Sequence, residues 1–436
     1  MTPLYDAIRA YAAQKPTRFH MPGHKGSFLP VSELQSIAPL DVTEVEPTGD
    51  LFSGGEPFDT AQKLWAERFG MDNCLFLTGG STLGLHAALA LFCRPGDQVL
   101  IDRGCHRAVY NALALLDLEP VYLPRPWRAG EGIAGPISPQ DVENLLNPHP
   151  NIKTICITSP TYSGVLSDIK ELSHIIHARG GNLIVDGAHG AHLPFLGVDA
   201  FSGCDALICS AHKTLPALGQ SALLFTNGLD PRRVRQMTSV FGSSSPSYPM
   251  MISLDCARDY LDGKGSEEYR RVARRTAALR AAFPSLHEGE LRLDPTRLTL
   301  TSPDGNALAQ ALEGENIWPE MADSGHVVLI LTAQDSEDDL HHLEEALQRH
   351  RDLLGTPPIL PPPPMPKSVR SLREALFAPV ERLPLEYCLG RVAAGQLAPY
   401  PPGVPVVAPG EVIGEKELAY LREIGYNNSD VPVMCL

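Results

Sequence analysis

No apolar run in this sequence approaches the ~20 residues that cross a bilayer as a helix. The start, Met1 to Asp6, has neither the basic residues nor the apolar stretch of a secretory signal, so a cytoplasmic protein is expected. Positive charge is scarce as well. Thirty-six basic against 51 acidic side chains leave a net charge of −15, which argues against nucleic acid or an anionic membrane as the main partner. The nine cysteines include no C-x-x-C pair, are odd in number and mostly fall in apolar segments, so they are expected to be reduced and buried rather than bridged or bound to metal. Internal repeats and coiled-coil heptads are also missing. What remains is core-forming material: 436 residues, 43% hydrophobic and 20% charged, enough for about two to four folding units.

From residue 60 to 227, short apolar runs alternate with amphipathic stretches. The runs at 74–78, 98–102, 121–123, 154–158, 183–186, 206–210 and 221–225 have the form of parallel strands buried on both faces. Helices are expected at 60–69, with Ala61, Leu64, Trp65 and Phe69 on one face and Gly70 as terminator, and at 169–179, entered through Ser167-Asp168. These features give an α/β domain with a mainly parallel sheet. A helix at 267–282 carries Arg270, Arg271, Arg274, Arg275 and Arg280, most simply a solvated face. A smaller β-α-β-α unit follows over residues 291–350. Residues 356–366 hold seven prolines in eleven positions and read as a stiff, extended spacer. The expected division is an arm (1–59), a large domain (60–287), a small α/β domain (288–355), the linker (356–366) and a terminal α+β module (367–436).

Three distant signals fall at strand ends, where open parallel sheets place their ligands. In Leu77–Gly84 (LTGGSTLG) a strand passes into a helix. Its glycines let backbone amides approach an anion, Ser81 and Thr82 add hydroxyls, and the helix dipole favours negative charge. Alone this serves equally well as a helix cap, and it is neither G-x-G-x-x-G nor a Walker loop. The second signal is Asp186, closing a buried strand ahead of His189 and His192; such a carboxylate is costly to bury unless a cation or a hydrogen bond meets it. The third is Lys213, which follows the run at 206–210 and is flanked by Ser210, His212 and Thr214, making it a candidate for Schiff-base chemistry. Each has an ordinary structural reading. In order, a phosphate cradle, a strand-end acid and a lysine 27 residues later fit one cofactor, pyridoxal 5′-phosphate. His106, after another strand, could stack on the cofactor ring or be merely structural. His20 and His24 have metal-like spacing, but Pro22-Gly23 breaks any helix there, and no metal is expected.

These motifs resemble the bacterial ornithine/lysine/arginine decarboxylases, in the short form without an N-terminal wing domain. The resemblance is carried by His20–Gly26 (HMPGHKG), Gly80-Ser81-Thr82, Cys105-His106, Thr158–Gly164 (TSPTYSG), Asp186 with Ala188–His192 (AHGAH), Ser210–Ala217 (SAHKTLPA), Leu389-Gly390-Arg391 and Tyr400–Pro405 (YPPGVP). It implies a large domain of the aspartate-aminotransferase-like fold type I, a smaller α/β domain and a C-terminal α+β decarboxylase module. It implies too that Lys213 binds the cofactor covalently, that Asp186 pairs with the pyridine nitrogen, and that Gly80, Ser81, Thr82, Ser210 and His212 surround the phosphate. His106 would stack on the ring and His189 would lie beside Asp186. Lys213 or His212 would return a proton to Cα after CO₂ is lost. Glu320, with Asp323 nearby, falls where relatives place an acid that meets the substrate's distal cation. Relatives usually carry Asn at the positions of Gly79 and Gly104 and an acid or small residue at Gly187, so substrate geometry and rate are open here.

The expected reaction is decarboxylation of a basic amino acid, arginine first and then lysine or ornithine, to agmatine, cadaverine or putrescine, amines of polyamine biosynthesis. A homodimer or larger homo-oligomer is implied by the fold. Two rivals stand beside it. One is a transaminase or lyase on the same fold, for which Arg297 or Arg391 could clamp the substrate carboxylate. The other is a catalytically quiet regulatory homologue.

Overall fold

The computed structural model describes residues 1–399, 404–426 and 428–435. The chain divides into two compact units, residues 1–91 with 184–270 and residues 92–183 with 271–436.

In the first unit, the strand Asn182–Asp186 pairs through Ile184–Asp186 in parallel with Ala206–Cys209. Ala222–Thr226 then pairs antiparallel with Ala206–Cys209 on one side and with Asn73–Leu77 on the other. The expected strands are present, each shifted by no more than a residue or two, but those at 73–77 and 222–226 are antiparallel to their neighbours and not parallel as expected. The helix before them is Phe58–Phe69, two residues longer at its start than periodicity indicates. Its stop is the expected one: Gly70 takes a left-handed φ of 63°, which lets the amides of Gly70 and Met71 turn back to the carbonyls of Glu67 and Ala66. Trp65 is fully buried on its inner face, and Phe69 stacks on Phe225 at 4.2 Å between ring centres. Truncating such an aromatic to alanine costs about 3–5 kcal/mol. The N-terminal helix Pro3–Ala13 is anchored through the amides of Leu4 and Tyr5, which donate to buried Asp255.

In the second unit, Gln98–Asp102 pairs in parallel with both Glu119–Leu123 and Thr154–Thr158. The helix Arg107–Leu116 follows the first of these. A smaller antiparallel sheet orders Arg297–Thr301, His326–Ile330 and Met321–Ala322, with the middle strand central. The helices Gly305–Gly314 and Glu337–Arg349 cover it over a core that includes Leu298, Leu300, Leu308, Leu312, Val327, Leu343 and Leu347. The described residues after 367 build a further core from Leu385, Leu397, Val407, Ile413, Leu421, Val431 and Val433, around the antiparallel pair Val380–Leu383 and Val431–Met434. Most of the Tyr400–Pro405 run, residues 400–403, lies outside the described residues.

Two expectations need correction. The arginines of the helix Ser266–Ala282 do not form one solvated face. Arg280 is buried and donates to the carbonyls of Asp294 and Arg297, while Arg271 and Arg275 pair with Glu337 and Glu344. Helical spacing alone could not separate them, because the small sheet covers one edge of the stripe. The cysteines form no disulfide among the described residues, yet they are not all core: Cys93 and Cys256 are half-buried and Cys435 is exposed.

Candidate active site

In the first unit, three chain-distant segments converge. The helix Gly80–Phe92 begins at Gly80, whose φ of 68° is the left-handed turn that brings the chain from strand to helix. Ser81 Oγ then lies 2.7 Å from Ser210 Oγ, 129 residues away. Asp186 ends its strand at 3% exposure and accepts from the amide of Ala188 at 3.2 Å. His189, 6% exposed, places Nε2 3.0 Å from Lys213 Nζ. His212 has Nδ1 2.9 Å from the carbonyl of Ser221; a carbonyl only accepts, so Nδ1 carries a proton. Thr82, next to Ser81, is exposed.

This set fits a phosphorylated pyridine aldehyde. Two hydroxyls and the N-terminus of a 13-residue helix suit a phosphate. A buried carboxylate suits a protonated ring nitrogen, and the lysine beside a histidine supplies an amine with a proton acceptor in reach. Gly79 and Gly187 are tight: a Cβ at Gly79 would lie 2.7 Å from Leu83 Cδ1, and one at Gly187 would lie 2.6 Å from Leu207 Cδ1. A side chain at either place would therefore require leucines to repack.

The second unit holds the other candidates. His106 caps the helix Arg107–Leu116, its Nδ1 accepting from the amide of Ala108 at 3.2 Å. Glu320 is exposed and accepts from the hydroxyl of Tyr162. Asp323 is engaged in its own turn, accepting from the amides of Gly325 and His326 at 2.8 Å and facing His326 Nδ1 at 3.0 Å. Of the two arginines considered as carboxylate clamps, Arg391 is engaged by Glu381 and the carbonyl of Met434. Arg297 is 1% exposed, and burial lowers its pKa against the opposing influence of Asp294, Glu320 and Tyr162. His20 and His24 diverge, to Tyr11 and to Asp41, and among the described residues no cluster of three or more His, Cys, Asp or Glu side chains is placed to hold a metal.

Sequence reasoning missed Tyr162 as a partner of Glu320, although the motif containing it was legible. It also missed two buried ion pairs. Asp102 ends its strand as Asp186 does, but Arg125 meets it through Nε at 2.9 and 3.0 Å and through Nη2. Arg103 and Glu411 form a two-pronged pair at 2.8 Å on both arms.

Sequence comparison decides the family. The model described as "Orn/Lys/Arg decarboxylase, major domain" matches residues 2–300, and that of the "Orn/Lys/Arg decarboxylase, C-terminal domain" matches residues 362–433. The chain belongs to the Orn/Lys/Arg decarboxylase family. An arginine decarboxylase of Bacillus subtilis is 30% identical over 454 residues, spanning 96% of this chain and 93% of that protein. The constitutive lysine decarboxylase of Escherichia coli is 23% identical, spanning 96% and 76%. Among solved structures, the Francisella novicida lysine decarboxylase LdcF superposes with a TM-score of 0.84 at 19% identity, covering all of this chain and 81% of that one. The aspartate-aminotransferase-like fold expected from the motifs is thus present. This member of the family is a pyridoxal-phosphate-dependent decarboxylase. No helix among the described residues is long and apolar enough to cross a membrane.

Proposed function

We propose that the enzyme decarboxylates arginine to agmatine and CO₂, with lysine and ornithine as the poorer candidates. The observation that carries this reading is the near full-length match to an arginine decarboxylase, 30% identical against 23% for a lysine decarboxylase of comparable coverage of this chain. The engagement of Arg391 within the terminal module supports decarboxylation over transamination, since it removes one possible clamp on a carboxylate that must be free to leave.

When bound, pyridoxal phosphate accepts the electron pair left behind by departing CO₂. In the proposed roles, Lys213 would hold the cofactor, and Lys213 or His212 would supply the proton at the substrate Cα. His189 accepts a proton from the Lys213 amine across the 3.0 Å contact. Asp186 keeps a proton on the ring nitrogen through its negative charge. Gly80, Ser81, Thr82, Ser210 and His212 would hold the phosphate, His106 would serve the cofactor ring, and Glu320 would meet the distal cation of the substrate. Asp323 contributes indirectly, by fixing the turn that follows Glu320. We assign the domains as residues 1–59, 60–287, 288–355, 356–366 and 367–436, the enzyme to the cytoplasm, and its working form to a homodimer or larger homo-oligomer.

The test is CO₂ release by the purified protein, loaded with pyridoxal phosphate, from arginine, lysine and ornithine in parallel. Arginine should be turned over with the highest kcat/KM. Preference for lysine or ornithine overturns the substrate assignment, and keto acid or ammonia in place of CO₂ from all three overturns the reaction.

A further inference from the structure

Lys213 is carried by a helix of only four residues, Ala211–Thr214. A single turn is a poor keeper of its own shape, because helix nucleation is costly and so short a helix closes few hydrogen bonds. Contacts from outside must therefore fix where the amine points. At the entry, the hydroxyl of Ser210 meets that of Ser81. In the middle, His212 faces the carbonyl of Ser221 through its amide at 3.3 Å and through Nδ1 at 2.9 Å. At the exit, the hydroxyl of Tyr269 donates to the carbonyl of Thr214, the residue after Lys213.

A buried carbonyl at the end of a turn needs a donor, and any hydroxyl could supply that. Tyr269 does more. Its ring stacks on that of His192, with 5.4 Å between ring centres and 27° between planes, and both side chains are completely buried. His192 lies three positions after His189. The chain between and around them is tightly turned: the amide of Gly190 donates to the carbonyl of Gly187 at 2.9 Å, and that of Leu193 to the carbonyl of Gly190 at 3.1 Å. One tyrosine thus grips two chain-distant arms, the first carrying Lys213 and the second His189. The arms meet again at the 3.0 Å contact between those two side chains. Every residue of this circuit belongs to the first unit. A tyrosine turns about only two side-chain torsions, so one held at both its ring and its hydroxyl is a short, rigid spacer.

We propose that Tyr269 is a positioning residue for the Lys213–His189 pair, acting on one member through the Thr214 carbonyl and on the other through the ring of His192. Its bearing on catalysis rests on the proposed roles of Lys213 and His189.

The test uses the full-length protein and the variant Tyr269→Phe, which removes the hydroxyl and keeps the ring. The thermal midpoint reports whether the fold is kept. Two readouts besides turnover are taken. Acetylation by acetic anhydride before cofactor is added, followed at Lys213 by mass spectrometry across pH, gives the midpoint at which its amine titrates. The growth of the visible band after pyridoxal phosphate is added gives the rate at which Lys213 takes up the cofactor. Tyr269→Phe should move the titration midpoint toward that of His189→Ala and slow the colour about three- to tenfold, the scale of one lost hydrogen bond. His192→Ala should act in the same direction, and it carries the test if Tyr269→Phe does not fold. Neither substitution should move the midpoint further in a His189→Ala background, because residues acting through one another are not additive. A folded variant with wild-type midpoint and rate overturns the inference. So does a shift that persists undiminished in the His189→Ala background, or a His189→Ala protein that titrates as the wild type does. A wild-type protein that stays colourless overturns the proposed function instead, and the acetylation comparison, which needs no cofactor, still decides the inference.

Discussion

Lys213 Nζ lies 3.0 Å from Nε2 of His189, a residue 24 positions earlier that follows the strand ending in Asp186. With Lys213 as an ammonium, which can only donate, Nε2 of a neutral His189 is the acceptor; with Lys213 as a free amine the direction can reverse. Replacing Lys213 by Ala should give a folded protein that stays colourless with added pyridoxal phosphate and releases no CO₂. His189→Ala should keep the colour of the lysine-bound cofactor and turn over about a hundredfold more slowly, the effect of removing a proton acceptor. Absorbance spectra and CO₂ assays on the two variants check this.

Glu320 accepts a hydrogen bond from the hydroxyl of Tyr162 and is exposed. If it meets the cationic end of the substrate, Glu320→Gln should raise KM about ten- to a hundredfold, the range for a lost hydrogen bond to a charged group. The change in kcat should be smaller. Tyr162→Phe should shift KM in the same direction and by less, because the carboxylate charge remains. Steady-state kinetics with arginine separates the two parameters.

Burial raises the pKa of Glu411, and the charge and hydrogen bonds of Arg103 only partly oppose it. Removing one partner leaves the other charged and dry. Glu411→Ala should therefore cost about 3–5 kcal/mol of stability, whereas replacing both Arg103 and Glu411 by Met should cost markedly less. Urea unfolding of the three proteins gives the comparison.

His326 is buried, with Nδ1 3.0 Å from Asp323 and Nε2 2.8 Å from the carbonyl of Glu131. Burial pushes its pKa down, but the hydrogen bond and charge of Asp323 and the Glu131 carbonyl outweigh it, and the net shift is upward. A raised folded-state pKa means that the imidazolium stabilises the fold fully below the unfolded value of about 6.5. The contribution is lost as pH rises through the folded value. Thermal midpoints of wild type and His326→Gln should differ most below pH ~6.5 and converge at alkaline pH.

The strand-end residues show how far the sequence could be read. Asp186 and Asp102 look alike in it, each closing five residues of buried strand. Order along the chain, with a Gly-Ser-Thr turn before and a lysine after, marked Asp186 as the cofactor candidate. Nothing local announced that Arg125, 23 residues beyond Asp102, would neutralise the other. Strands and helices were legible because period and caps are local properties. Long-range partners such as Ser81 with Ser210, or Tyr162 with Glu320, depend on how segments cross in space, and neither residue type nor spacing encodes that. The arginine-rich helix failed for the same reason, since exposure of Arg280 is decided by the backbone of Asp294 and Arg297, where the small sheet begins.

Seven of the eleven residues in the proline-rich segment lack an amide proton, so its carbonyls are its main tethering groups. Trp127, whose indole nitrogen can only donate, takes the carbonyl of Leu360 at 2.9 Å. An extended chain of this composition advances ~3.1 Å per residue, so deleting a single proline before Leu360 would draw that carbonyl out of reach. The segment works as a ruler with one fixed graduation, and its length, more than its individual side chains, is what a functional variant must keep.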